Sequence, residues 1–117
     1  MALKTENLGN VTVITLSGKL NTEASQELKD GLYAQCEASP GHMLIDMKDV
    51  NYVSSYLIGV LVGCHKLLKK SGSDLHLSGL SPHLRMALDV SGLTEIFPSH
   101  ESREEGIAHL NSEAIRT

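Results

Sequence analysis

Residues 56 to 68 constrain this chain more than any other segment. Leu57, Ile58, Val60, Leu61, Val62, Cys64, Leu67 and Leu68 put apolar side chains on nearly every face of a helix. A helix that is apolar all round has to be buried. A bilayer is not the place for it. The longest apolar stretch, Tyr56 to Cys64, is interrupted by Gly59 and Gly63 and falls well short of the ~20 residues that span a membrane. Lys66, Lys69 and Lys70 follow at once. Gly59 and Gly63, four apart on one helix face, are expected to allow close packing on a sheet.

The flanking segments supply that sheet. Leu3 to Leu8 reads as an edge strand, Gly9-Asn10 as a hairpin turn, and Val11 to Leu16 as a buried β-branched strand ending at Ser17-Gly18. Ala24, Leu28, Leu32 and Cys36 recur every four residues, the stripe of an amphipathic helix capped by Asn21 or Thr22. His42 to Met47 reads as a strand, Lys48-Asp49 as a turn and Val50 to Val53 as a further loop, with Ser54-Ser55 opening the buried helix. Leu75 and Leu77 alternate with His76 in a short strand. Ser81-Pro82 starts a helix that Gly92 ends, because proline suits the first helical position and glycine the exit. Glu95-Ile96-Phe97 reads as a last strand, and Ser102-Arg103-Glu104-Glu105 as a capping box opening a final helix with Ile107 and Leu110 inward. The predicted order is β-β-α-β-α-β-α-β-α. Alternation of strand and helix implies right-handed crossovers and a partly parallel sheet, mixed because of the opening hairpin, within an α/β domain spanning residues 1–117.

Bulk properties exclude several function classes. The net charge is −4, Lys69-Lys70 is the only adjacent basic pair, and the aromatics are one Phe and three Tyr with no Trp. A nucleic-acid binder shows a basic stripe with aromatics nearby, so no nucleic-acid partner is expected. Cys36 and Cys64 fall among apolar helix residues without a Cys-x-x-Cys spacing and are expected to be reduced and buried. The first twelve residues have no apolar signal-peptide core, and no direct membrane insertion is expected. The expected location is the cytoplasm.

Motifs of catalysis are missing. No phosphate-cradling glycine loop, Gly-x-Ser-x-Gly elbow or His-Glu-x-x-His occurs, no nucleophile–base pair can be assembled, and no enzyme, metal or cofactor is expected. Asp46 and Asp49 stand where α/β folds often carry function, but turn and cap roles explain them more simply than Mg²⁺. Ser54-Ser55-Tyr56 stands out. It lies at a helix N-terminus, where unpaired N–H groups and the helix dipole favour an added phosphate. An ordinary N-cap serine would look the same.

Leu44 to Ser55, followed by Gly59-Val60-Leu61-Val62-Gly63, resembles the central signature of STAS domains. Leu80 to Leu88, Ser91-Gly92-Leu93 and Leu16-Ser17-Gly18-Lys19-Leu20 resemble other elements of that family, in the family's order. The resemblance implies a mixed sheet flanked by helices, and a protein-binding module acting in partner switching. In the anti-sigma factor antagonists of this family, the unphosphorylated domain binds a serine kinase of the histidine-kinase-like ATPase type that also sequesters a sigma factor. The kinase phosphorylates a serine at the second helix's N-terminus and a cognate phosphatase reverses this.

Antagonists typically carry Asp-Ser-Ser-Gly at that place. Here the register reads Ser54-Ser55-Tyr56-Leu57, with Tyr56 at the usual acceptor, and Asn21 replaces an acidic residue after the second strand. Scaffold STAS proteins of the stressosome have Asp-Ser followed by an aromatic and aliphatic residues. Ser55-Tyr56-Leu57-Ile58 resembles that pattern without the Asp. The resemblance thus implies Ser55 as phosphate acceptor, with Ser54 as the alternative, and a docking face of Asn21, Asp49, Tyr52, Ser54, Ser55 and Tyr56. A second reading is a non-phosphorylated scaffold, or a soluble subunit of a phospholipid-transport ABC complex.

Overall fold

The computed structural model describes the backbone of residues 3–116 and the side chains of residues 3–112. Its elements follow the predicted order: β1 (Leu3–Leu8), β2 (Val11–Leu20), α1 (Thr22–Ala38), β3 (His42–Val53), α2 (Ser55–Lys70), β4 (Leu75–Ser78), α3 (Pro82–Val90), β5 (Ser99–His100) and α4 (Arg103–Arg116). The strands form one sheet in the order β1-β2-β3-β4-β5. β1 runs antiparallel to β2, and every later pairing is parallel. Each parallel step needs a crossover, and the helices provide them.

Strand alternation decides which helices cover which face. Ile14, Leu16, Met43, Ile45, Met47, Leu75 and Leu77 share the larger core with Leu28 and Leu32 of α1, Leu57 and Leu61 of α2 and Leu84 and Leu88 of α3. Val11, Val13 and Leu44 meet Leu110 and Ile107 of α4 in a smaller cluster. Gly106 lets α4 come down onto the sheet, since a Cβ there would fall 2.8 Å from Leu44. The helix ends behave as read. Ser81 Oγ accepts from Leu84 N–H at 3.1 Å and Ser102 Oγ from Glu105 N–H at 3.2 Å. Gly92 takes φ +73°, and the next N–H, from Leu93, closes on Leu88 O at 2.9 Å.

Four expectations need correction. β2 does not end at Ser17-Gly18 but continues to Leu20, with Gly18 at φ +91°. Lys48-Asp49 is not a turn. It is an irregularity inside one long β3, where Thr15 pairs with Asp46 but Ser17 with Asp49, so β3 carries an extra residue. The Lys48 N–H donates to Asp46 Oδ1 at 3.2 Å, satisfying the backbone there. Glu95-Ile96-Phe97 is not a strand. The Ile96 and Phe97 N–H groups both turn back to Leu93 O, Phe97 drops into the core, and the strand begins two residues on at Ser99. Finally, the glycines of α2 do not pack on the sheet. Gly59 faces open space, and Gly63 lies against Tyr33 of α1.

Candidate functional site

Parallel strands bring the starts of their following helices to one edge of a sheet. β2 and β3 end side by side, at Leu20 paired with Val53, so α1 and α2 begin next to each other. Ser54 N–H donates to Leu20 O at 2.9 Å and closes the junction.

Each helix has its own cap. Asn21 Oδ1 accepts from Ala24 N–H at 2.9 Å, and Ser54 Oγ accepts from Leu57 N–H at 3.3 Å. Ser25, one turn into α1, links them. Its hydroxyl donates to Asn21 O at 2.7 Å, lies 3.2 Å from Leu20 O, and sits 3.1 Å from Ser54 Oγ. Ser25 is 0% exposed and Ser54 6%. The two serines before the buried helix therefore differ in kind. Ser54 is a buried cap with its hydroxyl engaged, whereas Ser55 is an exposed first residue of α2. The first turn of α2 holds no acidic residue, so nothing on that turn competes with an added anion for the helix's positive end.

The remaining predicted residues fall into two groups. Tyr52 is 50% exposed and pairs across the sheet with Lys19, whose Nζ lies 5.8 Å from the ring centroid. It stands on the same edge as Asn21 and Ser55. Tyr56 is half-buried and packs against the larger core, so it presents only part of its ring. Asp49 is exposed but four residues before Val53, about 13 Å back along an extended strand, and lies at the margin of the site.

Sequence reasoning missed Ser25, because a buried serine inside a helical stripe carries no signal before its neighbour across the fold is known. It also missed a groove of about 290 Å³ between the end of β3 and α3, lined by Val50, Tyr52, Ile58, His83, Leu84 and Ala87 among others. That groove adjoins Ser55 and extends the exposed edge in an apolar direction. Asp46 and Asp49 are not a pair. Asp46 is buried and accepts from Ser78 Oγ at 3.2 Å, while Asp49 faces solvent. Among the described residues no group of three or more His, Cys, Asp or Glu is arranged to hold a metal ion, and no helix is long and apolar enough to cross a membrane.

This arrangement has known counterparts. The family model for the STAS domain matches residues 2–106. The anti-sigma-B factor antagonist of Bacillus subtilis (strain 168) is 31% identical over 94 residues, covering 80% of this chain and 85% of that protein. An anti-sigma-factor antagonist (STAS) domain protein from Planctomyces limnophilus superposes with a TM-score of 0.86 at 23% identity, over 92% of this chain and 97% of that one. The Bacillus cell fate determinant SpoIIAA, solved in its phosphorylated form, superposes with a TM-score of 0.73 at 20% identity, over 92% and 98%. At those identities the two solved structures speak for the fold.

Proposed function

Since the chain belongs to the STAS domain family, we propose that it is a protein-binding regulatory module of the anti-sigma factor antagonist kind, working in a partner switch. Its partners are an anti-sigma factor with serine kinase activity, of the histidine-kinase-like ATPase type, and a phosphatase, all in the cytoplasm. It acts by binding rather than by catalysis. The relative at 31% identity is named for antagonism of an anti-sigma-B factor, and a structural neighbour exists in a phosphorylated form.

The observation that carries the reading is the contrast between Ser54 and Ser55. A kinase needs a hydroxyl it can reach, and Ser55 offers one at a helix N-terminus while Ser54 is enclosed. A phosphate on Ser55 adds about −1.5 to −2 charge beside exposed Asn21 and Tyr52. Backbone N–H groups of α2 stabilise that charge locally, so the fold tolerates it, while an acidic or apolar partner surface does not.

The test is incubation with a cognate kinase and ATP, followed by intact mass and site mapping. One phosphate on Ser55, and none in Ser55→Ala, is the expected result. Full labelling of Ser55→Ala overturns the assignment of the site. Absence of phosphate on the native protein in its own cells, with stable co-purification of a transport ATPase, replaces the partner-switch reading by a constitutive subunit.

A further inference from the structure

Cys36 and Cys64 are far apart in sequence, yet the packing of α1 on α2 sets them level with each other. Ser25 and Ser54, with hydroxyls 3.1 Å apart, fix the register of the two helices at one end. Cys36 lies eleven residues beyond Ser25, and Cys64 ten beyond Ser54. Both lie about three turns along their helices, Cys36 continuing the buried stripe of Leu28 and Leu32 and Cys64 that of Leu57 and Leu61. Close approach continues to the cysteines themselves. A Cβ on Gly63, next to Cys64, would fall 2.3 Å from the hydroxyl oxygen of Tyr33, one turn before Cys36. Both cysteines belong to the same buried core cluster, and the Cys36 S–H points to Met43 Sδ at 3.9 Å. Both side chains are buried, at 3% and 0% exposure.

We propose that Cys36 and Cys64 are a modification site, a thiol pair that a peroxide converts to a disulfide clamping α1 to α2. The Cys36 thiolate attacks one peroxide oxygen. The O–O bond breaks, the departing oxygen leaves as water with the proton Cys36 gave up, and Cys36 becomes a sulfenic acid. The Cys64 sulfur then attacks the Cys36 sulfur, loses its proton, and displaces the hydroxyl as a second water. Two thiols lose two electrons and one hydrogen peroxide gains them.

Cys36, 3% exposed where Cys64 is fully enclosed, is the first nucleophile. The neighbouring Cys64 thiol holds that of Cys36 below the usual range in spite of burial, whereas the Cys36 thiol and burial push the Cys64 thiol up. Burial makes the reaction wait for local opening of the seam, and it also keeps larger thiols out, so the sulfenic acid closes on its neighbour. The bond joins the two helices whose first residues carry the exposed edge of the site.

The experiment treats the reduced full chain with hydrogen peroxide in native buffer, quenches it, unfolds it, alkylates free thiols and measures intact mass. The expected product is about 2 Da lighter, takes up no alkylating reagent, yields a linked Cys36–Cys64 peptide and reverts with dithiothreitol. Its Tm is higher by roughly 5–10 °C, because the link closes a loop in the unfolded chain. In Cys64→Ser, dimedone captures Cys36 as its sulfenic acid. Retention of both thiols, under exposure that oxidises the urea-unfolded chain, overturns the proposal. So does a disulfide between two molecules, or one within the chain that lowers Tm.

Discussion

The side-chain oxygens of Ser25 and Ser54 lie 3.1 Å apart, with both residues buried, at the point where the first turns of α1 and α2 meet. The 2.7 Å contact to Asn21 O takes the Ser25 proton, so the Ser54 proton goes to Ser25 Oγ, while Ser54 Oγ still accepts from Leu57 N–H. A short hydrogen-bonded chain thus runs from the end of β2 through α1 to the start of α2. It holds Ser55 in place without involving its hydroxyl.

Ser54→Ala removes the cap of α2 and strands a buried partner on Ser25. We expect a loss of about 1–2 kcal/mol. Ser55→Ala, at an exposed position, stays within about 0.5 kcal/mol of the parent. Urea unfolding of the two variants checks this. Equal losses would mean that the two hydroxyls are not divided into cap and free surface.

Ser55→Glu puts a negative charge in a first turn that has none. Stability rises by about 0.3–1 kcal/mol at low ionic strength, and the gain shrinks as salt screens it. Unfolding curves at two salt concentrations measure this. A variant that loses partner binding while gaining stability separates an effect on docking from an effect on folding.

Gly59 and Gly63 respond in opposite directions to alanine. At Gly59 a Cβ meets nothing within 4 Å, so Gly59→Ala stabilises by about 0.5–1 kcal/mol through helix propensity and the stiffer unfolded chain. At Gly63 the Cβ would lie 2.3 Å from Tyr33 Oη and 2.9 Å from its ring carbon. Gly63→Ala has to push that ring out of the seam and costs about 1–3 kcal/mol. Thermal melts of both variants decide it. Relief of the Gly63→Ala loss by Tyr33→Ala identifies the ring as the cause.

Asp74 is held below the usual carboxylate range by the hydrogen bond from Lys69, with the positive charge of Lys69 and the nearby His42 and His76 rings adding to it against partial burial. A depressed folded pKa means that the ionised carboxylate favours the folded state. The contribution is complete above the unfolded value near 3.8 and is lost as pH falls through the lower folded value. The wild type therefore loses more stability than Asp74→Asn between pH 5 and pH 2. The pair is a third or more exposed, so screening keeps the difference below about 1 kcal/mol. Urea midpoints across that range measure it, and parallel curves would count against the pairing.

The element order was legible in the sequence because its signals are local. Period two at Leu75 to Leu77, period four at Leu28, Leu32 and Cys36, Pro82 after Ser81, and Gly92 at a helix exit each report on a few neighbouring residues. The misreadings occurred where backbone pairing over long distance overrides local chemistry. Lys48-Asp49 has turn composition, but the parallel ladder to β2 carries β3 through it by inserting a residue. Ile96 and Phe97 have strand composition, but their N–H groups bond to Leu93, and the core takes Phe97 as part of a turn.

The sequence by itself determined that a helix apolar on all sides had to lie against a mixed sheet, and that Ser54-Ser55 stood at its start. Apolar periodicity and capping chemistry suffice for that. Only the tertiary structure decided which serine is enclosed, that Ser25 and Asn21 join it, and that Asp49 stands at the edge. It alone brought Cys36 beside Cys64. Those relations depend on the register of β2 against β3 and of α1 against α2, and register between segments distant in the chain is set by packing that no local pattern encodes.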